Sequence, residues 1–215
     1  MYQTYKTLFK EVIGFRRLLF FGWVPVDRKM EILLGRKEAA DYLKIQPPQK
    51  ILDVATGTGA LAYELAKLGH SVIGIDISME MLSQARKKCS DNLNLYFQQA
   101  DATHLPFNNN EFDATSISFG LHDMPYETEI NVLKEMKRVT KTDGKILIVD
   151  YNETKNHWAA KLAYPLIKTS ESVNWTPFIT RGLENLLNKA GLKVAKWTTI
   201  LGVIQIVIAD NHKGH

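Results

Sequence analysis

The segment Asp53-Val54-Ala55-Thr56-Gly57-Thr58-Gly59 sets two glycines one residue apart, with an acid four residues before the first. Glycines at that spacing let a chain turn tightly and lay bare backbone against a ligand. Gly57-x-Gly59-x-x-Ala62 fits the G-x-G-x-x-G/A pattern of dinucleotide loops, and Asp76 follows 17 residues after Gly59. Alone, the pattern indicates a nucleoside ligand and leaves NAD and S-adenosylmethionine both open. Three acids favour the second. Asp53, inside the strand before the loop, suits a ligand ammonium and would repel a pyrophosphate. Asp76, at the end of the next strand, can accept both ribose hydroxyls. Asp101, followed by Ala102, can accept from an adenine amino group.

Further chemistry is sparse. Methyl transfer from a sulfonium is an in-line displacement, for which a protein supplies positioning and a dry cavity, and a base only if the acceptor must lose a proton. His122 is the strongest candidate for that base, since its ordinary pKa lies near physiological pH, although a structural or substrate-positioning histidine fits the sequence as well. Tyr151 could steer an acceptor hydroxyl or ring. His157, Trp158 and Trp175 are candidates for the acceptor pocket. No metal is expected: Asp150-x-Asn152 hints at a magnesium site, but convergent oxygen ligands cannot be assembled from the spacing. Cys89 reads as a core residue on an apolar helix face, and Arg86-Lys87-Lys88 as the solvated face of the same helix.

The elements that must position these groups alternate. Short apolar runs at Lys50–Ala55, Ser71–Asp76, Leu93–Gln98, Phe112–Ser118 and Lys145–Asp150 predict five strands. Helical patterns fall between them at Ala60–Leu68, from a Ser78 cap to about Ser90, and at Glu127–Val139 with Ile130, Leu133, Met136 and Val139 as its stripe. Such alternation implies βαβ units and a parallel sheet covered by helices on both faces. A last helix is expected from Thr180 to Gly191. The runs Val194–Thr199 and Val203–Ala209 are too close for a helical crossover, so they form an antiparallel pair. The expected fold is α/β, a Rossmann-like doubly wound seven-stranded sheet, mostly parallel with a C-terminal antiparallel hairpin.

The 215 residues suit one domain with an extension, read as a helical lid or substrate-side extension at 1–49 and a cofactor-binding domain at 50–215. Residues 1–50 hold 10 Lys/Arg against 5 Asp/Glu, so the net +4 of the chain originates there. A basic face throughout, as in a nucleic-acid protein, is excluded. The longest uncharged stretch, Trp197–Ala209, is 13 residues, shorter than the ~20 a spanning helix needs. With one cysteine and no secretory signal, a cytoplasmic location is expected. Residues 15–26 (FRRLLFFGWVPV) combine arginines with aromatics, a pattern suited to a packed lid or to peripheral contact with a membrane.

ILDVATGTGALA, VIGIDIS, QADATHLPF, FDATSISFGLH and LKEMKRVTKTDGKILIVDY together resemble the class I S-adenosylmethionine-dependent methyltransferases, most closely the ubiquinone/menaquinone-biosynthesis C-methyltransferase group. The strong match covers residues 50–151. The resemblance implies S-adenosylmethionine as cofactor and S-adenosylhomocysteine as product. Asp53, Thr56, Gly57 and Gly59, with Ala55 and Thr58 among them, would hold the methionine part. Asp76, Ile77 and Met81 would hold ribose and adenine, Asp101 and Ala102 the adenine edge, and Ser118 and Phe119 would line the methyl-donor cavity. The quinone group commonly carries Arg-Asn where this chain has His122-Asp123, and Lys-Pro-Gly-Gly where it has Lys141-Thr142-Asp143-Gly144. The expected function is methylation of a small or lipophilic acceptor, quinone-like or phospholipid-like. The rivals are a nicotinamide-dependent oxidoreductase, which would leave Asp53 unexplained, and a non-catalytic cofactor-binding module.

Overall fold

In the computed structural model seven strands run along the chain: β1 (Lys50–Val54), β2 (Ser71–Asp76), β3 (Leu95–Gln99), β4 (Phe112–Ser118), β5 (Thr140–Tyr151), β6 (Lys193–Ile200) and β7 (Ile204–Asp210). They form one sheet in the order β3-β2-β1-β4-β5-β7-β6. The pairs from β3 to β5 are parallel, and β7 is antiparallel to both β5 and β6, as expected for a doubly wound sheet closed by a hairpin. The structure describes residues 39, 40, 43, 46, 48–89, 92–152, 171–200 and 202–212. Residues 15–26, His157 and Trp158 therefore lie outside the described residues, as does most of the 1–49 extension. Within it, Ala39, Ala40 and Leu43 are helical and buried.

Burial explains the strand composition. Ile146–Val149 in β5 is apolar at every position and fully buried, because the strand is covered on both faces. The edge strand β6 instead carries Lys193 and Lys196 and is largely exposed, which discourages further strand pairing. The helices among the residues described from β1 onward are α1 (Ala60–Lys67), α2 (Met79–Arg86), α3 (Tyr126–Val139), α4 (Trp175–Arg181) and α5 (Leu183–Ala190). The stripe Ile130, Leu133, Met136 and Val139 on α3 is buried, as its periodicity predicts. Ser78 caps α2, its hydroxyl accepting from the Met81 N–H at 3.3 Å.

Three expectations are corrected. The helix expected from Thr180 to Gly191 starts only at Leu183, as α5, because Gly182 (φ 77°, ψ 152°), in a backbone conformation open essentially to glycine alone, separates it from α4, a helix the sequence pattern does not single out. Thr180 is no cap; it lies within α4 and its hydroxyl donates to the Thr176 carbonyl. Helix α2 ends at Arg86, four residues short of expectation, so Cys89 falls beyond it and is exposed rather than core. Lys88 is not simply a solvated charge, because its ammonium donates to the Thr58 carbonyl at 2.5 Å and so braces the glycine loop.

The chain winds outward from β1 through β2 to β3, then crosses to the other side of β1 to lay down β4 and β5. The reversal lies between β1 and β4. Open α/β sheets bind ligands at the carboxyl ends of the strands beside such a reversal. The ends of β1 to β5 and the loops after β1 to β4 carry most of the predicted site residues.

Candidate functional site

The glycine loop is built from backbone. Thr56 N–H donates to the Ile75 carbonyl and Gly59 N–H to the Thr56 carbonyl, each at 2.8 Å, which closes the turn against β2. Both glycines adopt positive φ, for different ends. A Cβ on Gly59 would lie 2.5 Å from the Phe97 ring, so that glycine serves close packing of the helix start on β3. A Cβ on Gly57 would meet nothing within 4 Å, so the space beside it is open to a ligand. Asp53 is buried at the end of β1, and its carboxylate accepts from the hydroxyls of Thr56 (2.5 Å) and Ser116 (2.6 Å). It thereby ties the loop to β4. Ser116, which the sequence did not single out, lies opposite Asp53 in the register of the sheet.

Asp76 spans two loops. One carboxylate oxygen accepts from Gly57 N–H and the other from Ser78 N–H, both at 2.8 Å. The half-exposed carboxylate retains lone pairs for ribose hydroxyls. Beside it Ile77 is exposed and Met81 half-buried, apolar surface of the kind a purine covers. Gln99 donates to the Ile77 carbonyl at 2.9 Å and links the ends of β2 and β3. Asp101 is exposed and accepts from both the N–H and the hydroxyl of Thr103, bonds that hold its carboxyl below the usual range. Ala102 follows it, packed against the core.

On the other side of the reversal the site is made of side chains. Phe119 follows Ser118 at φ 52°, a strained conformation for an aromatic residue, with its N–H donating to the Val149 carbonyl. The next residue, Gly120, is so close to the glycine loop that an added Cβ would be 3.1 Å from the Ala55 Cβ. Ala55 itself has φ 50°. The Phe119 and Tyr151 ring centroids lie 5.4 Å apart, Tyr151 and His122 4.8 Å, and Tyr151 and Trp175 5.9 Å, all edge-to-face.

His122 is buried between carboxylates. Its Nδ1 lies 2.6 Å from Asp150, its Nε2 3.2 Å from Glu171 and 3.6 Å from Asp123. Burial alone would favour neutral imidazole; Asp150, Glu171 and Asp123 outweigh it and hold the ring's pKa well above the usual histidine range. Asp150, fully buried, also accepts from the N–H groups of Leu121 and Tyr151, so it fixes the turn that carries His122. The Tyr151 hydroxyl donates to Glu171 at 2.9 Å, and burial with that nearby carboxylate raises the phenol well above its ordinary pKa.

The predicted pair His122 and Tyr151 thus meet, and Glu171 joins them. Neither Glu171 nor the anchoring role of Asp150 was found by sequence reasoning: Glu171 is 20 residues from Tyr151 in a segment without periodicity. Oxygens of Asp123 and Glu171 and a nitrogen of His122 lie within 4.8 Å of one another, a spacing that a cation could span. A cavity of about 530 Å³ lined by Asn152, Arg181, Trp197 and Gln205, among others, includes none of the predicted site residues.

Residues 51–144 match a family model described as a methyltransferase domain. The chain is 38% identical over 123 residues to the ubiquinone/menaquinone biosynthesis C-methyltransferase UbiE of Bdellovibrio bacteriovorus, covering 56% of this chain and 52% of that protein. It is 40% identical over 127 residues to the demethylmenaquinone methyltransferase of Lactobacillus johnsonii, covering 56% and 51%. The chain thus spans about half the length of these curated relatives. Among solved structures, an S-adenosylmethionine-dependent methyltransferase from Aquifex aeolicus superposes with a TM-score of 0.66 at 21% identity, over 85% of this chain and 92% of that one. The strand order, the glycine loop with its open face at Gly57, and these similarities agree: residues 51–144 are similar to methyltransferase domains, and the sheet has the fold of solved S-adenosylmethionine-dependent methyltransferases.

Proposed function

We propose that the protein methylates a small lipophilic acceptor carrying a ring, quinone-like in shape, with S-adenosylmethionine as donor and S-adenosylhomocysteine as product. The observation that carries the reading is the meeting of two surfaces at the sheet reversal. An open glycine loop flanked by Asp76 lies on one side, and a wall of Phe119, Tyr151, His122 and Trp175 on the other, with Ala55 and Gly120 in near contact between them. The names of the quinone-pathway relatives support the acceptor class.

When bound, the cofactor supplies a sulfonium methyl whose S–C bond breaks as the acceptor bond forms. The chain orients it. Gly57 leaves room for the methionine part, Thr56 and Thr58 shape the turn, and Asp53 sets a negative charge near the ligand ammonium. Asp76 takes the ribose, Ile77 and Met81 flank the purine, and Asp101 with Ala102 meets its edge. Ser118 and Phe119 border the methyl-donor cavity. On the acceptor side the rings exclude water, and the His122–Glu171–Tyr151 cluster is the set of titratable groups that meets them. Both ring nitrogens of His122 are engaged with carboxylates, which fixes the ring beside Tyr151.

The segment 1–49 is proposed as a lid over the site, and residues 15–26 as a peripheral contact that brings a lipophilic acceptor from the bilayer to a cytoplasmic enzyme. Among the described residues no helix is long and apolar enough to cross a membrane. Salt-sensitive binding to anionic liposomes, weakened by Arg16→Glu with Arg17→Glu, tests this contact. Transfer of labelled methyl groups to a ring acceptor tests the reaction, and calorimetry tests the cofactor. Micromolar binding of NAD(H) with none of S-adenosylhomocysteine would return the nicotinamide reading. Tight S-adenosylhomocysteine binding with no product from any lipid or metabolite extract would favour a non-catalytic module.

A further inference from the structure

The acceptor side carries an unusual charge balance. Asp123, Asp150 and Glu171 surround one imidazole, and among the described residues His122 is the only cationic group hydrogen-bonded to them. Arg181, on α4, is paired with buried Glu129. Three carboxyl groups thus face a single imidazole. Its members differ in access. The side chains of His122 and Asp150 are 5% and 1% exposed, whereas that of Glu171 is 17% exposed and lies against the Tyr151 ring wall. One Glu171 oxygen accepts from Tyr151 and the other faces His122, each through a single lone pair. A carboxylate offers about four acceptor positions, so about two remain for a ligand.

We propose that Glu171 is a specificity-determining residue which accepts the hydrogen of the acceptor's hydroxyl or N–H, and that the carboxylates around it restrict acceptors to neutral or cationic rings bearing such a donor. His122 and Tyr151 are then positioning residues, each fixing one oxygen of Glu171. A ring carrying a carboxylate or phosphate would be repelled, because like charges in a partly desolvated site cost far more than in water. The inference rests on the methyltransferase reading, in that it takes the ring-lined wall to be the acceptor side. It narrows the acceptor to hydroquinones, phenols and aryl amines and removes phospholipids.

The test is equilibrium binding of three stable probes, 2-naphthol, 2-methoxynaphthalene and 2-naphthoate, to the full chain with and without saturating S-adenosylhomocysteine. The wild type is expected to bind naphthol at least tenfold more tightly than either of the others. Glu171→Leu should reduce the naphthol preference over the ether to under threefold. Glu171→Gln should strengthen naphthoate binding at least tenfold, and Asp123→Asn, at an exposed position, by a smaller factor. Equal binding of naphthol and naphthoate by the wild type, ratios unchanged in the Glu171 variants, or no binding of any probe would each overturn the proposal. Loss of S-adenosylhomocysteine binding in the wild type would instead strike the methyltransferase reading, while probe ratios measured without it would still decide the role of Glu171.

Discussion

The two sides of the sheet reversal reach a binding surface by opposite means. On the side proposed for the cofactor, at the ends of β1, β2 and β3, the groups are acids that accept from backbone N–H groups and small hydroxyls: Asp76 from Gly57 and Ser78, Asp101 from Thr103, and Asp53 from Thr56 and Ser116. On the side proposed for the acceptor, at the ends of β4 and β5, the groups are charged and aromatic side chains bonded to one another. His122 meets Asp150, 28 residues on, and Tyr151 meets Glu171. The first side is a mould of backbone N–H groups and carboxylates for the proposed cofactor. The second is a charge cluster whose members depend on one another, and coupled networks are costly to break at one point.

The strongest way to break this contrast is Asp150→Ala. The substitution leaves a buried imidazolium facing a gap and removes the acceptor for the Leu121 and Tyr151 N–H groups. Breaking one partner of a buried pair costs about 3–5 kcal/mol, which for a chain of this size lowers the melting temperature by roughly 10 °C. Thermal melts check it. A loss of under ~1 kcal/mol would mean that the cluster is no tighter than a surface ion pair.

A smaller effect is expected from pH alone, because deprotonating His122 keeps its hydrogen bond to Asp150. The folded-state pKa of His122 is raised above its ordinary 6.5, so its stabilisation is complete below about pH 6.5 and is lost as pH rises through the folded value. Glu129, pushed by burial from 4.5 to about 7 against the pull of Arg181, adds a loss between those two values. The melting temperature should therefore fall from roughly pH 5 upward and keep falling above pH 7. In His122→Gln the fall above pH 7 should vanish, while the part due to Glu129 remains. A wild-type profile that is flat above pH 7 would mean that His122 is not held protonated.

Legibility from sequence divides along the same line. β2 and β4 lie where their patterns place them, and the α3 stripe is buried residue for residue, because alternation and 3.6-residue periodicity are local properties. The glycine loop is equally readable, since its function depends on which residues lack a Cβ. Glu171 is a different matter. Nothing around it is periodic, and it matters only because the fold carries it to Tyr151 and His122. The start of α5 is a related case: a Thr180 cap is a local signal, but Thr180 lies inside α4 and the backbone at Gly182 sets where α5 begins. Cys89 was misplaced because a helical stripe was extended beyond the residue where the helix ends.

On the cofactor side, Asp76→Ala removes charge-assisted bonds contributing ~1.5–3 kcal/mol each, so S-adenosylhomocysteine affinity should fall tenfold or more in calorimetry. Gly57 N–H would lose its acceptor as well, loosening the loop before any ligand arrives. Melting temperature should change less than in Asp150→Ala, because Asp76 is half-exposed and water can replace it. Unchanged affinity would remove Asp76 from the ribose site.

The smallest expected effect separates what Asp76 does from what its neighbour does. Ser78→Ala deletes the hydroxyl that caps α2 and should cost about 1 kcal/mol of stability, a few degrees in the melt. It does not touch the Ser78 N–H, which is what Asp76 accepts from, so the carboxylate keeps both of its backbone partners. S-adenosylhomocysteine affinity should consequently stay within about threefold of wild type, a change of under ~0.7 kcal/mol. If Ser78→Ala weakened binding as much as Asp76→Ala, the start of α2 rather than the carboxylate would be what holds the ligand. The cofactor side would then depend on coupled parts much as the acceptor side does, and the contrast between the two would fail.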